Sequence, residues 1–174
     1  MVTKYDRPLL AGHGFHWPLV GLQFLCGLLI LAFSSAAIAQ HEGNTASVIN
    51  YFVFLGIIIL LWVFAVAGAP FVPALGQEMV RAPVDGVIML LTLAGGIAMA
   101  TRLRVHSCRN DNYVAQPLFQ GSANVCRMLQ AACAFCWFSF AGFLVTFIAA
   151  TVSFCSGGPA TQRGSRKPRA PATV

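Results

Sequence analysis

Cysteines are the residues of this 174-residue chain whose type and spacing most directly suggest chemistry, and there are six of them. Cys108 and Cys126 lie in one polar segment rich in Asn, Gln, Gly and Ser. A disulfide between them would close a loop and contribute about 3 kcal/mol in the chain-entropy model. We predict this disulfide; the alternative is a pair of free thiols in a segment that faces a reducing cytoplasm.

Cys133 and Cys136 form a C-x-x-C pattern, which occurs in redox pairs and in zinc sites. A redox pair needs an accessible site that favours the thiolate, and zinc needs two further ligands. Because both residues lie in an apolar stretch, we interpret them as small buried apolar side chains. Cys155 precedes a basic tail and is a candidate for reversible acylation.

Asp85 is the one acidic residue near the middle of the apolar part of the chain. Ionisable residues in such positions are functional candidates. Because Asp85 follows Pro83 closely, the sequence favours a place in the first turn of a helix, where a carboxylate stabilises exposed N–H groups. A buried contact with another span or with another protomer is the second alternative, and a proton or ion site is the third.

Catalytic motifs are not found in the sequence: it has no G-x-S-x-G, no Walker loop, no H-E-x-x-H and no paired intramembrane carboxylates. The four histidines share no spacing typical of metal ligands. We therefore predict a protein that is not an enzyme, with no metal and no cofactor other than bound membrane lipids.

The composition places these residues in a membrane. Apolar residues make up 57% of the chain and charged residues only 9%, with a mean hydropathy of +0.73. Globular chains carry about 25% charged residues, so this composition excludes a water-soluble domain, a disordered chain, a coiled coil and a basic nucleic-acid binder.

Four apolar stretches reach or nearly reach the roughly 20 residues that a helix needs to cross a bilayer. They cover residues 17–39, 48–72, 84–100 and 128–155. The sequence predicts an all-α, four-helix transmembrane bundle over 17–155, after an N-terminal segment 1–16 and before a disordered basic tail 156–174. The first stretch also resembles a secretory signal, but it is too long for one, so we expect it to be retained.

Basic residues divide unequally between the two ends of such a bundle. Seven would lie with the termini, namely Lys4, Arg7, Arg81, Arg163, Arg166, Lys167 and Arg169. Four would lie at the other end, namely Arg102, Arg104, Arg109 and Arg127. The positive-inside rule then predicts cytoplasmic termini and an extracellular Cys108–Cys126 loop. The tail residues Arg163, Arg166, Lys167 and Arg169 would bind anionic lipid, at about 1 kcal/mol per charge; a solvated tail that only orients the protein is the alternative.

Small residues spaced four apart predict close helix packing on the last two spans. On the third span they are Ala94 with Ala98 and Gly96 with Ala100. On the fourth span they are Gly142, Thr146 and Ala150. Ridges of this kind can hold a bundle together or form a lateral contact with another protein.

A series of short motifs follows the chain in order. They are Asn50-Tyr51, Asp85, Arg104-Val105-His106-Ser107-Cys108, Tyr113-Val114, Gln120-Gly121-Ser122, Cys126-Arg127, Gln130-Ala131-Ala132, Ala134-Phe135 and Trp137-Phe138-Ser139. In these motifs the chain resembles the MARVEL-domain proteins, and among them the fungal non-classical export protein 2 family, over about residues 15 to 155. The segment before Trp17 is longer than is usual in that family, so Lys4, His13 and His16 take no role from the resemblance.

The resemblance implies a multi-pass plasma-membrane protein with cytoplasmic termini that organises lateral membrane domains. The family is associated with eisosomes, with sphingolipid-dependent signalling and with unconventional secretion, and wider relatives often form oligomers. We therefore expect a membrane organiser that packs against itself, against another membrane protein or against sphingolipid and sterol. The alternatives are an accessory subunit of a larger membrane enzyme or pump, and a small channel or transporter that uses Asp85.

Overall fold

The computed structural model describes residues 13–40, 46–69, 78–104, 108–119 and 121–156. These ranges contain helices and no strand. The helices are α1 His13–Ala39, α2 Ser47–Ala67, α3 Glu78–Leu103, α4 Asp111–Val114 and α5 Ala123–Ser156. All except α4 are long and apolar enough to cross a membrane. The predicted all-α fold with four membrane-spanning helices is therefore confirmed at the level of helix length and composition.

Two of the helices differ little in position from the predicted spans. The apolar part of α1 is Trp17–Ala39, as expected. α2 ends at Ala67. The N–H of Gly68 still donates to the carbonyl of Phe64 at 2.9 Å, and the N–H of Ala69 donates three residues back, to the carbonyl of Val66 at 3.2 Å. Residues 70–72 of the predicted second span lie outside the described residues.

α3 and α5 extend beyond the predicted spans. α3 begins at Glu78 rather than at 84 and ends at Leu103 rather than at 100. Pro83 and Asp85 both lie inside this helix, so neither residue marks its first turn. Pro83 is exposed and Asp85 is buried. α5 begins at Ala123 rather than at 128. The hydroxyl of Ser122 accepts a hydrogen bond from the N–H of Val125 at 3.4 Å, which is the role of an N-cap residue.

The four long helices form a ring in which α1 packs along α2 and α5, and α5 packs along α3. α2 also packs against α3, but this contact is less extensive than the other three. α1 and α5 run antiparallel: Gln40 lies beside Met128, Phe33 stacks on Phe135, and Gln23 lies beside Gly142.

Two glycines allow α1 and α2 to approach closely. A Cβ atom on Gly56 would lie 2.9 Å from the Cβ of Leu31 and 3.0 Å from its backbone nitrogen. A Cβ atom on Gly27 would lie 2.7 Å from the Cγ2 of Ile59. Because backbone atoms cannot move aside as a side chain can, Gly56 sets the distance between the two helices. This contact is not among the helix contacts predicted from the sequence.

The core and the outer surface of the bundle are both apolar. Fully buried side chains include Phe52, Phe143, Ile30, Ile59 and Leu129. Large apolar side chains also point outward on every long helix, including Leu28, Phe54, Leu61, Phe64, Val87, Leu90, Phe138 and Ile148. A surface of this kind suits a lipid environment, where apolar side chains need not be hidden from water.

Candidate functional site

Asp85 lies well inside α3 and is only 3% exposed. The indole nitrogen of Trp62 on α2 donates a hydrogen bond to its carboxylate oxygen Oδ1 at 2.6 Å. The favoured prediction, a place in the first helical turn, is wrong because α3 begins seven residues earlier, at Glu78. The structure instead shows the second alternative, a buried contact with another helix.

A second aromatic side chain of α2 contacts α3 about two helical turns from Asp85. The hydroxyl of Tyr51 donates to the backbone carbonyl of Leu91 at 2.9 Å. The Tyr51 ring lies over Gly95, where a Cβ atom would come within 2.8 Å of ring atom Cε1. Trp62 and Tyr51 thus connect the two helices that pack most loosely in the ring. The Trp62–Asp85 hydrogen bond, at 2.6 Å, is the shorter of these two connections.

The C-x-x-C pair lies in the contact between α5 and α3. The thiol of Cys136 donates to the carbonyl of Thr92 at 3.2 Å, and the thiol of Cys133 lies 3.9 Å from the carbonyl of Gly96. Both cysteines are buried and free. Among the described residues, no group of three or more His, Cys, Asp or Glu side chains could hold a metal ion. These thiols act as small side chains and weak donors between two helices.

The predicted small-residue ridges divide between the inside and the outside of the bundle. Gly96 and Gly142 face inward: a Cβ atom would lie 3.2 Å from Trp137 at Gly96, and 3.5 Å from Gln23 at Gly142. Ala150 is buried, and Thr146 and Ala100 are half-buried. Ala94 and Ala98, in contrast, are exposed on the outer face of α3. Of the small residues predicted to form ridges, Ala94 and Ala98 are therefore the two that lie exposed on the outside of the bundle.

Two buried polar groups were not assigned a role from sequence. The side-chain nitrogen of Gln23 and the hydroxyl of Ser139 are buried, with no hydrogen-bond partner among the described residues. Gln23 lies beside Gly142, one turn along α5 from Ser139. Each is a polar residue inside an apolar stretch of the sequence, which marks it as unusual. The sequence does not show which side of each helix faces inward, so it does not predict that these two side chains are buried.

The disulfide predicted from the sequence is present between Cys108 and Cys126, with Cα atoms 5.9 Å apart. It ties the segment after α3 to the first turn of α5. Val114 and Phe119 are the buried apolar side chains of this segment, together with Cys108. Gly121 has a φ of +77°, a conformation that favours glycine, and its N–H donates to the carbonyl of Val114 at 2.9 Å. We call described residues 108–119 and 121–126 the disulfide cap.

The remaining predicted site residues lie at the other end of α5. Cys155 is exposed, one residue before the helix ends. The four basic tail residues Arg163, Arg166, Lys167 and Arg169 lie outside the described residues. The proposed acylation and lipid binding at this end therefore stay predictions.

The polar contacts of this bundle connect helices in pairs: α2 with α3 through Trp62 and Tyr51, and α5 with α3 through Cys136. A family model described as a membrane-associating domain, MARVEL, matches residues 14–149. The chain belongs to the MARVEL family. This finding confirms the resemblance seen in the sequence motifs.

Named relatives of this MARVEL chain are fungal. A non-classical export protein 2 homolog of Schizosaccharomyces pombe is 34% identical over 137 residues, which cover 77% of this chain and 75% of that protein. Non-classical export protein 2 of Saccharomyces cerevisiae is 35% identical over 91 residues, 52% of this chain and 53% of that protein. Non-classical export protein 102 of Candida albicans is 38% identical over 66 residues, 37% of this chain and 39% of that protein. No solved structure matches the chain.

Proposed function

We propose that this MARVEL chain is a non-enzymatic organiser of the plasma membrane that packs laterally with copies of itself in eisosome-like domains. Its partners in this proposal are a second copy and membrane lipids, namely sphingolipid, sterol and anionic inner-leaflet lipid. No cofactor and no nucleic acid takes part. The export-protein names of its relatives support a connection with unconventional secretion. A connection with the response to sphingolipid is also part of this proposal.

The outer face of α3 is the observation that carries this proposal. Val87, Leu90 and Ile97 project outward and are 56%, 58% and 50% exposed. Ala94 and Ala98 lie between and beside them on the same face. Small residues flanked by large ones allow two helices to approach closely while the large side chains interlock, which is how helices associate in membranes.

The two ends of the bundle have different tasks in this proposal. The disulfide cap is extracellular, since disulfides persist in oxidising compartments. The termini are cytoplasmic, where the charge distribution favours them. The tail residues bind anionic inner-leaflet lipid, and acylation of Cys155 would add a second anchor beside them.

Larger side chains on the outer face of α3 test the proposed contact between copies. Ala94→Leu together with Ala98→Leu is expected to lower self-association in lipid nanodiscs by about tenfold, because the added side chains keep the helices apart. Both residues are exposed, so each protomer should keep its fold. Fluorescence energy transfer between labelled copies in liposomes measures the association.

A matched control makes the same change elsewhere. Ala32→Leu with Ala39→Leu also adds two leucine side chains, on exposed positions of α1. We expect this variant to associate like the unaltered protein. Equal energy transfer for the α3 variant and the unaltered protein would rule out the α3 contact.

An accessory subunit of a larger membrane enzyme or pump is the second candidate function. The same outward face would then meet a different chain, because its apolar and small residues suit any helical partner. The composition of the particle extracted from the membrane distinguishes the two functions: copies of this chain support the organiser, and a fixed ratio with another protein supports the subunit.

A further inference from the structure

Four exposed arginines gather at the end of the bundle that carries the disulfide. They are Arg102, Arg104, Arg109 and Arg127, and we call them the arginine cluster. Arg109 directly follows Cys108, and Arg127 directly follows Cys126. Because the Cα atoms of these two cysteines are 5.9 Å apart, the disulfide holds two arginines at neighbouring positions.

The packing of α3 against α5 brings the other two arginines to the same end. Cys133 lies beside Gly96 in this antiparallel contact. Arg127 lies six residues before Cys133, and Arg102 lies six residues after Gly96. Each is therefore about 9 Å further along its helix, so the two residues reach similar heights. Arg104 follows Arg102 at the end of α3.

The cluster lies where the apolar part of the bundle ends. The apolar segment of α3 ends at Leu103, next to Arg102 and Arg104. The apolar segment of α5 has 30 residues and is about 45 Å long, more than the roughly 30 Å of the hydrocarbon core. Its first turns, with Arg127, therefore extend toward the headgroups. Long arginine side chains reach this level readily.

Basic residues outnumber acidic residues at this end of the bundle. Four arginines stand against the two acidic residues Glu42 and Asp111 in the connecting segments. The disulfide indicates an oxidising compartment, where arginines near the ends of spans are disfavoured by the positive-inside rule. An anionic ligand would offset both this disadvantage and the repulsion between neighbouring guanidinium groups.

We propose that the arginine cluster binds the phosphate groups of anionic lipid headgroups in the leaflet on the disulfide side. The planar guanidinium group binds phosphate through two parallel hydrogen bonds, and headgroup phosphates lie at the height of the cluster. Each guanidinium has five N–H donors, so contacts within the chain leave donors for the ligand. This binding does not require self-association, and its failure would leave the proposed function untouched.

The experiment titrates the purified full chain in detergent with phosphatidylglycerol and counts bound lipid by native mass spectrometry. Arg109→Gln with Arg127→Gln is expected to weaken the tightest site about 25-fold, about fivefold for each charge removed near the surface. Both residues are exposed, so the bundle should still fold. Arg163→Gln with Arg166→Gln removes the same charge from the tail and should leave this site unchanged.

A photoactivatable phosphatidylglycerol then locates the site by the peptide to which it is crosslinked. The proposal expects crosslinks on residues 102–104, 108–109 and 123–127. Crosslinks confined to the tail would overturn it, as would equal affinity of the cluster variant and the tail variant. Equal binding of phosphatidylcholine would show that the negative charge is not recognised. Complete competition by inorganic phosphate at the same concentration would make free phosphate the ligand and overturn the assignment to lipid.

Discussion

Asp85 is a carboxylate in the apolar part of a membrane protein, and its indole partner Trp62 comes from the neighbouring helix. A buried polar group is costly without a partner, so such a residue is retained for a specific contact or for function. Here the contact joins α2 to α3, which otherwise pack loosely. The bond therefore supports a structural role for Asp85.

Removing the donor tests this role. Trp62→Phe is expected to destabilise the bundle by about 2 kcal/mol, because the indole N–H is lost while most of the aromatic packing stays. Asp85→Asn should cost less, since its amide oxygen can still accept the hydrogen bond. A double-mutant cycle of these changes, measured by unfolding in mixed micelles, isolates the pair. A coupling energy near zero would show that the hydrogen bond contributes nothing.

The third alternative for Asp85, a proton or ion site, predicts that Asp85→Asn changes ion or proton flux. A channel or transporter would conduct in liposomes and lose its flux on Asp85→Asn. A structural Asp85 would leave the flux of the variant equal to that of the unaltered protein.

At the scale of helices, the sequence predicted which segments form helices but not which side of each helix faces inward. Length and hydropathy were sufficient for α1, α2, α3 and α5, because a stretch of about 20 apolar residues has few other stable structures. These helices are apolar on all sides, so they lack the amphipathic pattern that marks an inner face. For this reason the inward position of Gly96 and Gly142 and the outward position of Ala94 and Ala98 required the structure.

The contact between α1 and α2 gives a prediction about two glycines. Gly56→Ala should destabilise the protein by about 1 to 3 kcal/mol, because the new methyl group would lie 3.0 Å from the backbone nitrogen of Leu31. Gly21→Ala is the matched control on α1, where a Cβ atom would meet nothing within 4 Å. Alanine is favoured over glycine in a helix, so the control should be neutral or slightly stabilising. Unfolding in mixed micelles measures both, and equal stabilities would contradict the close contact.

The disulfide cap was more predictable than the intramembrane polar contacts. Cys108 and Cys126 share one polar segment between two spans, so their pairing needed little knowledge of helix rotation. The partner of Asp85 depended on how α2 is placed beside α3, and no spacing in the sequence encodes that placement. The burial of Gln23 and Ser139 was missed for the same reason.

At the scale of the whole molecule, the bundle presents apolar helix faces on its sides and charged groups at its ends. The outer face of α3, with Ala94 and Ala98, is the surface that we propose for lateral packing. The arginine cluster and the basic tail would add lipid contacts at opposite ends of the bundle. Together these features support a protein that acts by arranging its neighbours in the membrane.

Extraction from native membranes directly into nanodiscs, followed by mass determination of the intact particle and identification of its contents, tests this account most directly. We expect several copies of this chain in one particle, together with lipid enriched over the bulk membrane. A particle with a single copy, or with one copy in a fixed ratio to a larger membrane protein, would contradict the proposal that the chain organises the membrane by packing against itself.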